Sequence, residues 1–145
     1  MLPMSRTRPE LSRDAYLAVA RVQDRLSAGF QQLFKTEGLT TTQLNVLRIL
    51  IGAKQPIPCQ LVGERLIQRV PDVTRLLDRM EKEGLVERVR SSEDRRVVLV
   101  SVTREGRKRS NRLNQPALAL HDEQMRALTS SELRQLESLL AKLLH

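Results

Sequence analysis

Aromatic side chains are almost absent from this sequence of 145 residues, which contains no Trp, one Tyr and two Phe. Hydrophobic residues nevertheless make up 40% of the chain, which is enough to bury a core. That core must be built from Leu, Val, Ile and Ala, as helical proteins often manage. The length favours one domain, or one domain with extended arms that complete a dimer.

Cysteine and histidine are scarce as well. Cys59 is the only cysteine, so no intrachain disulfide can form and a reducing compartment fits best. The two histidines, His121 and His145, lack the spacing of metal ligands, so we expect neither a metal site nor a cofactor. The sequence also lacks a glycine-rich phosphate loop and a recognisable Ser-His-Asp set, which argues against an enzyme.

Long apolar runs are missing too. No stretch approaches the roughly 20 apolar residues that a membrane-spanning helix requires. The first residues, MLPMSRTRPEL, contain no apolar segment of the signal-peptide type. These observations predict a soluble, cytoplasmic protein without a membrane partner.

Positive charge is abundant, with a formal net charge of +8. Such a balance favours a polyanionic partner, nucleic acid first and an anionic membrane surface second, although a solubilising surface is the alternative. Between Glu87 and Arg112, nine basic residues face four acidic ones, a local net charge of +5. Clustering on one element is harder to explain as solubility alone.

The two ends of the chain are predicted to be helical and to pair with a second copy. Residues 1–11 form a flexible arm in this interpretation, and residues 12–36 and 104–145 form the helical dimerisation region. Apolar residues recur at spacings of three and four in the first of these segments. The terminal helices exceed what is needed to cover one small domain, so their remaining apolar faces would pack against the partner.

Residues 37–103 are predicted to form a separate DNA-binding lobe. It opens with TTTQLNVLRIL, which has a capping box at Thr40 and Gln43. Further along, PDVTRLLDRMEKEGL predicts a helix with Pro71 at its first position and Gly84 at its end. This helix packs with one side and presents cations on the other, as major-groove reading demands. An ordinary amphipathic helix with solvated cations is the alternative.

A hairpin with a charged tip follows this helix directly. LVERVR and VVLVSV are rich in β-branched residues, and SSEDRR joins them. A helix pair followed by such a hairpin is the order of a winged helix-turn-helix, whose loop contacts phosphates or enters the minor groove. The predicted fold is therefore mainly α with a small β-hairpin wing, a winged helix-turn-helix with long N- and C-terminal dimerisation helices.

The stretch VTRLLDRMEKEGLVERVRSSEDRRVVLVSVTREGR resembles the MarR (multiple antibiotic resistance regulator) family of transcriptional regulators. The resemblance extends from the first long helix to the last. It implies a homodimeric repressor that binds pseudo-palindromic duplex DNA operators. It also implies regulation by a small aromatic or phenolic effector, or by cysteine oxidation.

The resemblance assigns DNA contacts to two elements. In the recognition helix these positions are Thr74, Arg75, Arg79 and Lys82. In the wing, Arg96 matches the arginine that enters the minor groove, Asp94 matches the carboxylate that orients it, and Arg95 adds a phosphate contact.

The sequence departs from the family pattern just before the recognition helix. Val70 and Pro71 stand where the family often has Ser or Thr. Asp72 places an acid near the expected phosphates, which is unfavourable unless it pairs with Arg69 or Arg75. These departures keep an alternative function open: a winged-helix dimer acting as a protein-interaction module with weak, non-specific DNA binding.

Two small sites remain ambiguous in the sequence. The family places its ligand pocket between the dimerisation helices and the DNA-binding lobe, and the candidates are Tyr16, Phe30 and Phe34. Core packing is the favoured alternative for each of these aromatic residues. Cys59 could be a redox sensor, but a buried structural thiol is the simpler interpretation.

Overall fold

The computed structural model describes residues 5–145, and this part of the chain forms six helices and three short strands. Most of the described residues are helical, and the wing hairpin is present, which confirms the predicted fold class. The elements follow one another as α1 (Arg8–Lys35), α2 (Thr41–Ala53), β1 (Ile57–Pro58), α3 (Cys59–Arg65), α4 (Val73–Lys82), β2 (Val86–Arg90), β3 (Val98–Val102), α5 (Arg104–Met125) and α6 (Ser130–Ala141).

The first helix begins earlier than the sequence pattern predicts. The backbone N–H of Thr7 donates to Glu10 Oε2 at 2.7 Å, which is the carboxylate half of a capping box, and a proline lies in the first turn. Residues 8–11 of the predicted arm are therefore helical. Residues 1–4 of that arm lie outside the described part of the chain.

The strands form an antiparallel sheet in the order β1-β3-β2. Val100 lies at its centre, fully buried, opposite Ile57 of β1 and Arg88 of β2. The sequence predicts the β2–β3 hairpin but not β1, which has only two residues and contains Pro58. A proline is tolerated there because β1 is an edge strand, where the missing N–H breaks no inner ladder bond.

One hydrophobic core joins the predicted DNA-binding lobe to the long helices. Phe34 of α1 and Leu113 of α5 are buried in the same cluster as residues of α2, α4 and the sheet. The helix–strand connections are set locally: Thr103 Oγ1 caps α5 by accepting from the N–H of Gly106 at 3.0 Å. This shared core packs residues 37–103 against α5 and the C-terminal half of α1.

The outer parts of the terminal helices keep apolar side chains exposed. On α1, Tyr16 is 72% exposed and Val22 is 53% exposed. None of the residues of α6 is buried, although its leucines follow a helical repeat. Exposed apolar residues also follow the end of α6, where Leu143 is 79% exposed.

The six described helices include none that could span a bilayer, because each is too short or too polar.

Candidate nucleic-acid interface

The predicted recognition helix corresponds to α4, and its start is defined by an acidic cap. Asp72 Oδ1 accepts a hydrogen bond from the backbone N–H of Arg75 at 2.9 Å. The helix therefore begins at Val73, and Pro71 precedes it rather than taking the first helical position as predicted. Asp72 stabilises the positive end of the helix. Its partner is thus the backbone N–H of Arg75, one of the two arginines with which a pair was predicted.

One face of α4 packs into the core and the other is free. Leu77 and Met80 are fully buried beneath the helix. The four predicted DNA-facing side chains are all exposed: Thr74, Arg75, Arg79 and Lys82. Arg79 is held in place by Glu83, whose Oε1 lies 3.2 Å from Arg79 Nε. Because the buried face anchors the helix, the exposed face is presented rigidly.

The wing loop between β2 and β3 is closed by its own hydrogen bonds. The backbone N–H of Ser91 donates to the carbonyl of Val97 at 2.9 Å, and Val97 N–H donates to the carbonyl of Asp94 at 3.0 Å. Ser91 Oγ accepts from the N–H of Glu93 at 3.2 Å. The loop therefore has a defined shape before any ligand arrives.

Asp94 orients the arginine at the tip of the wing. Its Oδ1 accepts from the backbone N–H of Arg96 at 3.0 Å and from Arg96 Nε at 3.3 Å. The side chain of Arg96 is 92% exposed, so this ion pair adds little to stability. Its effect is to tether the exposed Arg96 side chain to the loop at Asp94.

Arg90 supports the same loop and was not singled out by the sequence analysis. Its Nη1 donates to the carbonyl oxygen of Arg95 at 2.8 Å. The backbone of Arg95 and Arg96 is thereby held by two side chains, those of Arg90 and Asp94. Among the many arginines of this region, the sequence contains no signal that separates Arg90 from the rest.

Arg88 joins the wing to the recognition helix. Its guanidinium donates to Asp78 Oδ1 and to Glu81 Oε1, the latter at 3.2 Å, and its backbone N–H donates to Glu81 Oε2 at 2.8 Å. The hydrogen bonds from the Arg88 guanidinium and backbone lower the pKa of the Glu81 carboxyl, which stays ionised at neutral pH. The same contacts, that to Glu81 first, raise the pKa of Arg88.

Cys59 lies half-buried at the start of α3. Burial raises the pKa of its thiol, so the reactive thiolate is disfavoured at neutral pH. This environment suits a structural thiol better than a redox sensor.

A cavity of about 420 Å³ opens between the long helices and the DNA-binding lobe. Phe30 and Phe34 of α1 line it, as predicted, together with His121 and Gln124 of α5. The rings of Phe30 and His121 lie 4.4 Å apart between centroids. Tyr16 does not line this cavity: it is exposed on the distant N-terminal half of α1. The apolar stripe of α1 places Tyr16 on the same helix face as Phe30 and Phe34. The stripe does not indicate how far along α1 the cavity extends.

One polar atom in this cavity lacks a partner. Gln124 Nε2 donates to the carbonyl of Leu26 at 3.1 Å, whereas the buried Gln124 Oε1 accepts no hydrogen bond from the described residues. A buried acceptor without a donor is unfavourable and is typical of a site that a ligand or water completes. No pattern in the sequence distinguishes Gln124 from the other glutamines of the chain.

Comparison with known proteins agrees with this geometry. The family model described as "Transcriptional regulator SarA/Rot" matches residues 28–113. The multiple antibiotic resistance protein MarR of Salmonella typhimurium is 36% identical over 107 residues, which cover 73% of this chain and 74% of that protein. The chain belongs to the MarR family of transcriptional regulators.

Two further similar proteins extend the likeness over more of the chain. The homoprotocatechuate degradative operon repressor of Escherichia coli is 28% identical over 86% of this chain and 83% of its own. A solved structure of a MarR mutant from E. coli complexed with operator DNA is 28% identical and has a TM-score of 0.84. It covers 97% of this chain and 100% of its own. MarR-family proteins are winged-helix, DNA-binding regulators of transcription, not enzymes, and this chain shares that fold.

Proposed function

We propose that this MarR-family chain is a homodimeric repressor that binds a pseudo-palindromic duplex operator with the recognition helix and wing of each protomer. The observation that carries this proposal is the oriented Arg96 at the wing tip, 92% exposed and tethered to Asp94, beside a helix with an exposed cationic face. A repressor acts where the DNA is, so we place it in the cytoplasm.

In this proposal, α4 lies in the major groove. Thr74 is near its N-terminal end and reaches base edges, while Arg75, Arg79 and Lys82 contact phosphates. The acid at the start of the helix no longer argues against DNA binding, because Asp72 is engaged by the backbone of its own helix. This weakens the case for a protein-interaction module.

The wing reaches the adjacent minor groove. Arg96 enters that groove, whose negative potential attracts arginine, and Arg95 contacts the phosphate backbone. The ion pair with Asp94 limits the rotamers of Arg96 before binding, which lowers the entropy cost of placing the guanidinium.

The exposed apolar surfaces of α1 and α6 support dimerisation. A monomer with Tyr16, Leu139 and Leu143 at 72%, 60% and 79% exposure leaves a large apolar area in water. Two-fold pairing through α1, α5 and α6 buries this area and carries the two recognition helices as a symmetric pair. A symmetric pair of reading helices requires an operator whose half-sites are about one helical turn apart.

The cavity supports release by a small aromatic or phenolic effector. Its volume of about 420 Å³ lies within the range of sites for small molecules. Phe30 and Phe34 offer apolar ring faces, and Gln124 Oε1 offers an acceptor to a hydroxyl donor. A phenol presents both complementary features in one small molecule.

A hydrogen bond beside this cavity holds the connection that precedes the recognition helix. Asn45 and Ile67 both line the cavity, and Asn45 Oδ1 accepts from the backbone N–H of Ile67 at 2.9 Å. Ile67 belongs to the short connection that leads into α4. A ligand that displaces this connection would therefore shift the start of the recognition helix.

A genomic pull-down tests the proposed function. Purified protein is incubated with sheared genomic DNA at about 50 and about 200 mM salt, since phosphate contacts release counterions and weaken steeply with salt. We expect a few intergenic palindromes to survive the higher salt. Uniform retention that disappears at the higher salt would contradict a specific regulator and support the interaction module instead.

The effector site is tested by replacing Gln124 with methionine, which keeps the length of the side chain but removes the acceptor. We expect phenols to bind about 2- to 10-fold more weakly, the value of one neutral hydrogen bond. Calorimetric titration with a panel of phenols and aromatic acids measures this. The control is Gln32→Met, an exposed position of α1 outside the cavity. Equal phenol affinity in both variants would exclude Gln124 as the acceptor.

A further inference from the structure

The recognition helix together with its two cap residues carries more acidic residues than basic ones. Residues 72–83 include four acidic side chains against three basic ones. Duplex DNA is densely anionic, so a helix that enters its groove with free carboxylates would be repelled. The hydrogen-bond partners of these carboxylates therefore affect DNA binding.

Two of the four acidic side chains are held at the ends of the helix. Asp72 accepts from the N–H of Arg75 as the N-terminal cap. Glu83 accepts from Gln43 Nε2 of α2 at 3.2 Å and from Arg79 Nε at 3.2 Å. Both carboxylates are thus engaged by donors of the same chain.

The other two, Asp78 and Glu81, are drawn to the wing side of α4 by Arg88. The guanidinium of Arg88 bonds both carboxylates, and its side chain is only 19% exposed, against 92% for Arg96. The partial burial of Arg88 strengthens these ion pairs relative to surface pairs. Arg88 faces α4, whereas the wing-tip arginine, Arg96, faces solvent.

Asp78 lies within reach of two of the predicted DNA-contacting cations of α4. It lies three residues after Arg75 and four residues before Lys82, the spacings at which helical side chains meet. If its carboxylate were not bonded to Arg88, it would compete with DNA phosphates for these two cations. It would also stand close to the phosphates itself.

We propose that Arg88 is a positioning residue for DNA binding, which engages Asp78 and Glu81 on the wing side so that Arg75 and Lys82 stay available to the phosphates. This inference rests on the proposed function. It assigns to Arg88 a role without DNA contact: its single positive charge engages two carboxylates per protomer on the wing side of α4 and ties the helix to β2.

The test measures binding of the dimer to a short duplex carrying the operator recovered in the genomic pull-down. Arg88→Ala is expected to weaken operator binding about tenfold or more, because two carboxylates per protomer are released beside the phosphates. Circular dichroism and sedimentation monitor folding and dimerisation of the variant.

A charge-neutralising rescue separates this role from a purely structural one. Asp78→Asn and Glu81→Gln, added to Arg88→Ala, remove the released charges without rebuilding the bridge. We expect this triple variant to return to within about threefold of the parent affinity, a coupling that independent sites would not show. Weakened binding without rescue, in a folded dimer, would overturn the proposal, as would an Arg88→Ala variant that binds like the parent.

A second variant covers the case in which Arg88→Ala fails to fold. Asp78→Asn with Glu81→Gln in the parent background keeps Arg88 and neutralises its partners. We expect operator binding to be as tight as in the parent or tighter, and weaker binding would overturn the proposal. The parent itself is the reference for the proposed function: if it shows no preference for the operator over a scrambled duplex, that function fails, independently of Arg88.

Discussion

Arg96→Ala is expected to abolish most operator binding while leaving the fold and the dimer unchanged. The side chain is 92% exposed and, within residues 5–145, its one ion pair is with Asp94, so its loss costs the folded protein almost nothing. A specific arginine contact to DNA contributes about 1–3 kcal/mol, and a dimer carries two wings, so the expected loss is about 2–6 kcal/mol. Fluorescence anisotropy with the operator duplex, at several salt concentrations, measures this loss.

The salt dependence gives a second, independent readout for the same variant. The slope of the logarithm of affinity against the logarithm of salt concentration should fall by about one for each phosphate-neutralising contact that is lost. Glu93→Ala is a matched control, because Glu93 lies in the same exposed loop and carries no predicted DNA contact. If Arg96→Ala binds the operator as tightly as the parent, the wing assignment is wrong.

Gly106→Ala is expected to destabilise the protein strongly. A Cβ at this position would lie 2.2 Å from the backbone carbonyl oxygen of Leu85 and 3.1 Å from Leu47 Cδ2. The obstacle is backbone at the start of the wing, so α5 would have to move away from the lobe. Overpacking of this kind costs about 3 kcal/mol, which corresponds to a fall in melting temperature of about 6–12 °C.

Gly52→Ala is the matched control for this prediction. Gly52 lies within α2, and a Cβ there would meet nothing within 4 Å. The same added methyl group should therefore stabilise the protein by about 0.5–1 kcal/mol, because alanine favours the helix more than glycine. Chemical denaturation of both variants at equal protein concentration makes the comparison. Similar shifts in the two variants would show that α5 does not approach the wing as closely as described.

The sequence predicts much of the fold because the relevant signals are local. The capping box of Thr40 and Gln43, the glycine at position 84 with its positive φ of 74°, and the cap at Thr103 each involve residues a few positions apart. Backbone hydrogen bonds within one turn depend little on the rest of the chain. The same is true of the wing tip, where Asp94 and Arg96 are two residues apart.

Short or distant features escape this kind of inference. Strand β1 has two residues, too few for an alternating pattern, and exists only because β3 lies beside it. Pro71 shows a related limit: its favourable backbone angle suits a first helical position, but the carboxylate of the neighbouring Asp72 caps the helix, which begins two residues later, at Val73. Neither the proline nor the capping carboxylate, taken alone, shows which of the two sets the first residue of the helix.

By itself, the sequence of this protein determined the helices, the hairpin and the presence of an excess of positive charge. Only the tertiary structure decided which charges face outward, because it brought Arg88 to Asp78 across ten positions and Gln43 to Glu83 across forty. It also decided where the cavity lies, by placing Gln124 against Leu26 and leaving Tyr16 outside. Charge and polarity are properties of residues, but their availability to a partner depends on neighbours that only the packed chain supplies.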